Sequence, residues 1–210
     1  MAKDENMSSH MAAGQLQQRP TAREGGLFKR AWFANPVRFV DRERLQLVRA
    51  WDLAWTADSK SDPDYSVGVL MGIDHQTRAL YVIDVIRKRL SPADLERTVV
   101  TASIFDGPRC LIRIPQDPGV GKFVARYLAN KLPGCRVSIE PEHKSKEARA
   151  APFAAQCEMA MVKLVEGQWN QVFIDELCAF PNGAHDDQVD AATAAFRALA
   201  YRAPAYAVAA

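Results

Sequence analysis

The feature that most constrains this chain is a change of rhythm part-way along it. Leu47 to Trp55, Tyr65 to Ile73 and Ala79 to Arg89 are apolar-rich runs. A polar loop, Thr56 to Asp64, and a tight turn, Asp74-His75-Gln76-Thr77, separate them, so they read as an antiparallel three-strand meander. Beyond that point strands alternate with helices. Ser91-Pro92-Ala93-Asp94 starts a helix, with Ser91 as N-cap and Pro92 at the first helical position, and Asp106-Gly107-Pro108 stops it after Phe105. A short strand, Cys110 to Ile114, is interrupted only by Arg113. A helix from about Val120 to Leu132 follows, ended by Pro133-Gly134, then a strand at Val137-Ser138-Ile139 and a helix from Ser145 to about Met159. Trp169 and Phe173 read as core residues of a further short helix. The pattern predicts an α/β fold: a mixed sheet, antiparallel first and then parallel with helical crossovers.

At 210 residues the chain is long enough for one domain with a substantial core. Residues 1–18 are polar, contain Met7-Ser8-Ser9-His10-Met11 and read as a leader; 19–44 is a linker or arm, 45–203 the domain and 204–210 a tail. The arm carries Leu27, Phe28, Trp32 and Phe33, which suit docking on the domain or on a neighbour. A net charge of +2 permits nucleic-acid binding without arguing for it. Cys110, Cys135, Cys157 and Cys178 have no C-x-x-C pairing, so they predict reduced thiols rather than a zinc site. No apolar run approaches the ~20 residues that span a bilayer.

The chemistry gathers in Phe180-Pro181-Asn182-Gly183-Ala184-His185-Asp186-Asp187-Gln188-Val189-Asp190-Ala191. The Pro-Asn-Gly turn ends what precedes it, and a helix starts near His185 with Asp186, Asp187 and Asp190 in its first turn and a half. Acids there suit the helix dipole, which is the plain explanation. At i,i+3 and i,i+4 spacing they also repel, and a hard divalent cation relieves that repulsion. Val189, Ala192, Phe196 and Leu199 give the same helix an apolar stripe.

Two further acids stand at strand ends. Asp52 lies inside an apolar strand, flanked by Trp51 and Leu53, where a charge is costly unless it is paired or metal-bound. Asp117 follows the Cys110 to Ile114 strand and precedes a helix, a place where α/β ligands gather and also where turn aspartates are common. Gly119-Val120-Gly121-Lys122 lacks the spacing of a phosphate loop. Asp52, Asp117 and Asp187 together would make an oxygen-rich pocket for Mg²⁺ or Mn²⁺, and two such ions about 4 Å apart suit phosphodiester hydrolysis.

The order of these motifs resembles the C-terminal nuclease domain of the large terminases, the DNA-packaging motor proteins of tailed phages, which have an RNase H-like fold. Carrying the likeness are Gln17-Gln18-Arg19-Pro20, Gly25 to Phe33, Trp51-Asp52-Leu53-Ala54, Ser61 to Gly68, Gln116-Asp117-Pro118-Gly119 with Gly121-Lys122, Lys144 to Arg149, Asp175-Glu176-Leu177, Phe180-Pro181 and His185 to Ala191. It implies a metal-dependent endonuclease that cuts concatemeric double-stranded viral DNA in the host cytoplasm. Its implied partners are an ATPase domain, joined through the arm, a small terminase and a portal, and no membrane. On this resemblance Asp52 and Asp187 are catalytic metal ligands and Asp190 a second or outer one. Asp117 takes the second acidic position, where relatives place a Glu at what is Pro115 here. Asp64, His185 and Asp186 would stand at the rim. Lys144, Lys146, Arg149, Arg87, Lys88 and Arg89 would suit phosphate contact, although each also suits a solvated helix face or sheet edge. A junction resolvase or recombinase on the same fold, or a non-catalytic DNA-clamping or portal-docking module, are the competing expectations.

Overall fold

The computed structural model describes residues 26–54, 65–116, 120–141, 145–201 and 206–207. The leader and the Thr56 to Asp64 loop lie outside the described residues. The strands are β1 Leu45–Asp52, β2 Ser66–Asp74, β3 Leu80–Lys88, β4 Leu111–Gln116, β5 Arg136–Pro141, β6 Val162–Leu164 and β7 Tyr206–Ala207. The helices are α1 Pro92–Asp106, α2 Val120–Asn130, α3 Lys146–Glu158, α4 Asn170–Ala179 and α5 Asp187–Ala200. One sheet forms in the order β6-β3-β2-β1-β4-β5-β7. β1, β2 and β3 pair antiparallel, β4 joins β1 in parallel and β5 joins β4 in parallel. The expected meander followed by parallel strands is therefore present, with β6 and β7 added at the two edges.

Strand alternation sorts the side chains of β1 onto two cores. Val48 and Ala50 join β2 and β3 residues in a core covered by α3, α4 and α5. Leu47 and Trp51 pack with Ile112 and Ile114 of β4 on the other face, under α1 and α2. Asp52 continues the Val48 and Ala50 side of β1, so it faces the α5 layer. Arg49, on the α1 side, is 3% exposed and fully engaged. Its Nε and Nη2 donate to the Asp106 carboxylate at 2.5 and 2.9 Å, and its Nη1 donates to Asp84 Oδ2 at 2.9 Å and to the Gly68 carbonyl at 3.2 Å.

The arm docks on the domain. Phe28 and Phe33 are buried in the α5-side core, the Phe28 ring lies 5.7 Å from that of Phe153, and the Leu27 N–H donates to the Phe180 carbonyl at 3.2 Å. Ser91 caps α1, its side chain accepting the Asp94 N–H, with Pro92 in the first turn. Phe173 is buried in α4 and Trp169 packs partly buried beside it, their rings 5.6 Å apart. All four cysteines are free, and burial pushes the Cys110 thiol up to about 12, which makes it a poor nucleophile. Among the described residues no helix is long and apolar enough to cross a membrane.

Candidate metal and nuclease site

Two elements carry the acids of the site. α5 is rich in small residues, with Ala191, Ala192, Ala195 and Ala198 buried, and these let it lie close over β1 and β2. Its first turn therefore comes to rest beside the end of β1. A cleft of about 310 Å³ opens there, lined by the acids Asp52, Asp187 and Asp190, the cations Arg113, Lys146 and Arg149, and by Leu53, Tyr65 and Pro115 among others. Asp52 and Asp187, far apart in sequence, thus share one cavity.

Asp187 is held in an unusual state. Its Oδ2 is buried and accepts no hydrogen bond from the described residues, with His185 Nδ1 4.0 Å away. Burial, then the charges of Glu176 and Asp186, push its carboxyl up to about 6, while His185 and Arg87 act in the opposite sense. Glu176 of α4 is itself buried. It accepts the Gln188 backbone N–H and the Gln188 side-chain Nε2, each at 2.6 Å, and Arg87 Nε lies 3.4 Å from it. That carboxylate satisfies an otherwise orphan donor in the first turn of α5. The Arg87 guanidinium sits 3.4 Å over the Tyr65 ring and that of Arg89 4.2 Å over it, with the His185 ring edge-on at 5.4 Å.

The opposite wall is a set of ion pairs. Lys146 Nζ donates to both oxygens of Asp186 at 2.7 Å and lies 3.0 Å from Asp190 Oδ2. Arg149 Nη2 lies 3.0 Å from Asp190 Oδ1. Burial alone would lower the Lys146 ammonium, but its hydrogen bonds to Asp186 and Asp190 outweigh that and hold it above the ordinary lysine value. Deeper in, Arg113 Nη1 meets Glu140 Oε2 at 2.6 Å, and Ser138 Oγ donates to the same carboxylate at 3.1 Å.

Of the residues singled out from sequence, the structure brings Asp52, Asp187, Asp190, Lys146 and Arg149 to the cleft. Asp186, His185, Arg87 and Arg89 adjoin it through the contacts above. Lys88 instead lines a separate cavity of about 670 Å³ on the α1 side, with Arg49 and Asp106. Asp64, Asp117 and Lys144 lie outside the described residues. Sequence reasoning did not assign roles to Glu176, Arg113 or Glu140. Arg113 left a signal, as the one charge in an apolar strand. Glu176 stands in the Asp175-Glu176-Leu177 motif without a role attached to it, and Glu140 left no signal, because its partner Arg113 is remote in sequence.

The donors are carboxylate oxygens, the chemistry that suits hard divalent cations, and the buried Asp187 oxygen without a donor fits such an ion. Among the described residues no group of three or more acids, histidines or cysteines gathers closely enough to hold an ion unaided.

A mixed sheet with three antiparallel strands, a parallel flank and an acid-bearing last helix laid over the first strand is an RNase H-like fold. Residues 49–199 match the terminase RNaseH-like domain, and the chain belongs to that family. The large terminase nuclease of thermophilic phage G20c with bound zinc is similar over 82% of this chain and 95% of that one, at 20% identity and a TM-score of 0.58. The P22 large terminase nuclease domain matches over 81% and 94%, at 14% identity and a TM-score of 0.56. The human cytomegalovirus terminase nuclease domain, manganese-soaked and inhibitor-bound, matches over 82% and 95%, at 9% identity and a TM-score of 0.59. Comparison with curated proteins returns no match.

Proposed function

We propose that this chain is the nuclease domain of a viral large terminase and hydrolyses phosphodiester bonds of concatemeric double-stranded DNA during packaging. The observation that carries the reading is the meeting of Asp52 and Asp187 in one cleft, where an Asp187 oxygen is buried without a hydrogen-bond donor. Asp52 and Asp187 would hold divalent ions, with Asp117, the residue after β4 in sequence, as a further ligand and Asp190 in an outer position. Two ions, Mg²⁺ or Mn²⁺, would supply an activated water and stabilisation of the leaving oxygen. Related nuclease domains solved with zinc, cobalt, magnesium and manganese support the use of a divalent metal.

The chain's own residues do the positioning. Glu176 fixes the first turn of α5 through Gln188 and so sets where Asp187 stands. Arg87 and Arg89 on Tyr65, with Lys146, Lys144 and Arg149, would steer backbone phosphates without reading bases. In the assembled motor the ATPase domain, small terminase and portal are the proposed partners, acting in the host cytoplasm.

The test is cleavage of plasmid DNA with Mn²⁺ or Mg²⁺. EDTA should abolish it, and Asp52→Ala and Asp187→Ala should each reduce the rate by more than ~100-fold, since even partners of metal ligands cost roughly 10–100-fold. Parent-like rates in both variants refute the assignment. Preferential cutting of four-way junctions would support the resolvase reading instead.

A further inference from the structure

We propose that Lys146 is a tethered counter-ion that competes with divalent metal for the acids at the start of α5 and passes to a backbone phosphate when DNA enters. The inference rests on the metal-dependent reading above and adds a linkage between metal and DNA that the reading does not require.

The geometry is that of a cation among carboxylates. Lys146 Nζ lies within 3.0 Å of oxygens from both Asp186 and Asp190, which stand on either side of Asp187 in sequence. With Asp52, Asp187 and buried Glu176 nearby, this end of the domain concentrates negative charge, and a positive charge must offset it. Beside Arg113 and Arg87, two cations pair with Asp190, and they do so unequally. The Arg149 side chain is 10% exposed and pinned against Asp190. The Lys146 side chain is 47% exposed, and it stands on the first residue of α3 at the cleft's edge. A compact ammonium on a flexible stem changes partners more readily than a buried planar guanidinium.

A phosphodiester offers Lys146 an alternative partner of the same charge as a carboxylate. When the ammonium transfers to it, Asp186 loses its Lys146 contact and Asp190 keeps Arg149, and the cleft's attraction for a divalent ion rises. Linkage makes the effect reciprocal: metal binding favours release of Lys146 and thereby tightens DNA. The device would hold metal loosely until substrate is present.

Mn²⁺ binding followed by electron paramagnetic resonance tests this without relying on cleavage. In the absence of DNA, Lys146→Met should bind Mn²⁺ about five- to tenfold more tightly than the parent, the low end of measured couplings between sites. Lys146→Gln should do the same, whereas Lys146→Arg, which keeps the charge, should stay near the parent. A nuclease-resistant phosphorothioate duplex should tighten Mn²⁺ binding by the parent and leave Lys146→Met unchanged. Mn²⁺ binding by Lys146→Met and Lys146→Gln that equals or falls below the parent's overturns the proposal. Absence of Mn²⁺ binding by the parent and all variants overturns the metal reading itself.

Discussion

β1 carries a charged residue to each face of the sheet, and the two are treated in opposite ways. Arg49, on the α1 side, is enclosed by Asp106 and Asp84, and each edge of its guanidinium plane finds an acceptor nearby. Asp52, three residues on, faces a cleft where acids crowd and where the Asp187 oxygen lacks a donor. The first cluster is closed around its guanidinium. The second is open to solvent and holds a buried carboxylate oxygen with no donor among the described residues. A charge enclosed by its partners serves the fold; a buried carboxylate oxygen beside an open cleft is available to something from outside.

The largest expected effect on stability comes from breaking the closed cluster. Arg49→Ala leaves buried Asp106 with only the half-exposed Arg42, 3.5 Å away, and should cost about 3–5 kcal/mol in urea unfolding. A loss below ~1 kcal/mol would mean that the pair is not a structural anchor.

The open cluster should respond with the opposite sign. The Asp187 carboxyl is raised to about 6 from an ordinary 3.8, so the folded protein binds more protons than the unfolded chain between those values. Its contribution to stability is present below pH 3.8 and is lost as pH rises through about 6. In metal-free protein, Asp187→Asn should therefore be more stable than the parent at pH 8, with the difference vanishing near pH 4. Because the cleft is open and solvent screens part of the shift, the gain is on the order of 1–2 kcal/mol. Urea unfolding across that range measures it; an equal difference at both ends would contradict the cause assigned. A smaller change follows in Glu176→Gln. Removing the second cause of the shift should move the pH-dependent part of stability to lower pH, while burial, the larger cause, keeps it above the ordinary aspartate range.

Much of this division was legible in the sequence, because its signals are local. The caps and breakers around α1, the turn before β3 and the acids opening α5 are read from neighbouring residues. The strand expected over Leu47 to Trp55 runs as Leu45–Asp52, and that over Cys110 to Ile114 as Leu111–Gln116, since strand ends are set by pairing rather than by composition. β6 and β7 went unread: a three-residue and a two-residue strand exist only through their pairing with β3 and β5. For the same reason Asp52 could be singled out as a charge in an apolar strand, but the Asp106 partner of Arg49 and the Gln188 contacts of Glu176 could not. The site's acids were visible one by one; the cations that neutralise part of them became visible only with α3 folded against α5.

Whether the carboxylates of the cleft take a cation from outside is tested most directly by a crystal soaked in MnCl₂ and measured for anomalous scattering. Manganese should appear between Asp52 and Asp187. Manganese found elsewhere with both carboxylates bare, at a concentration that supports cleavage, would contradict the assignment.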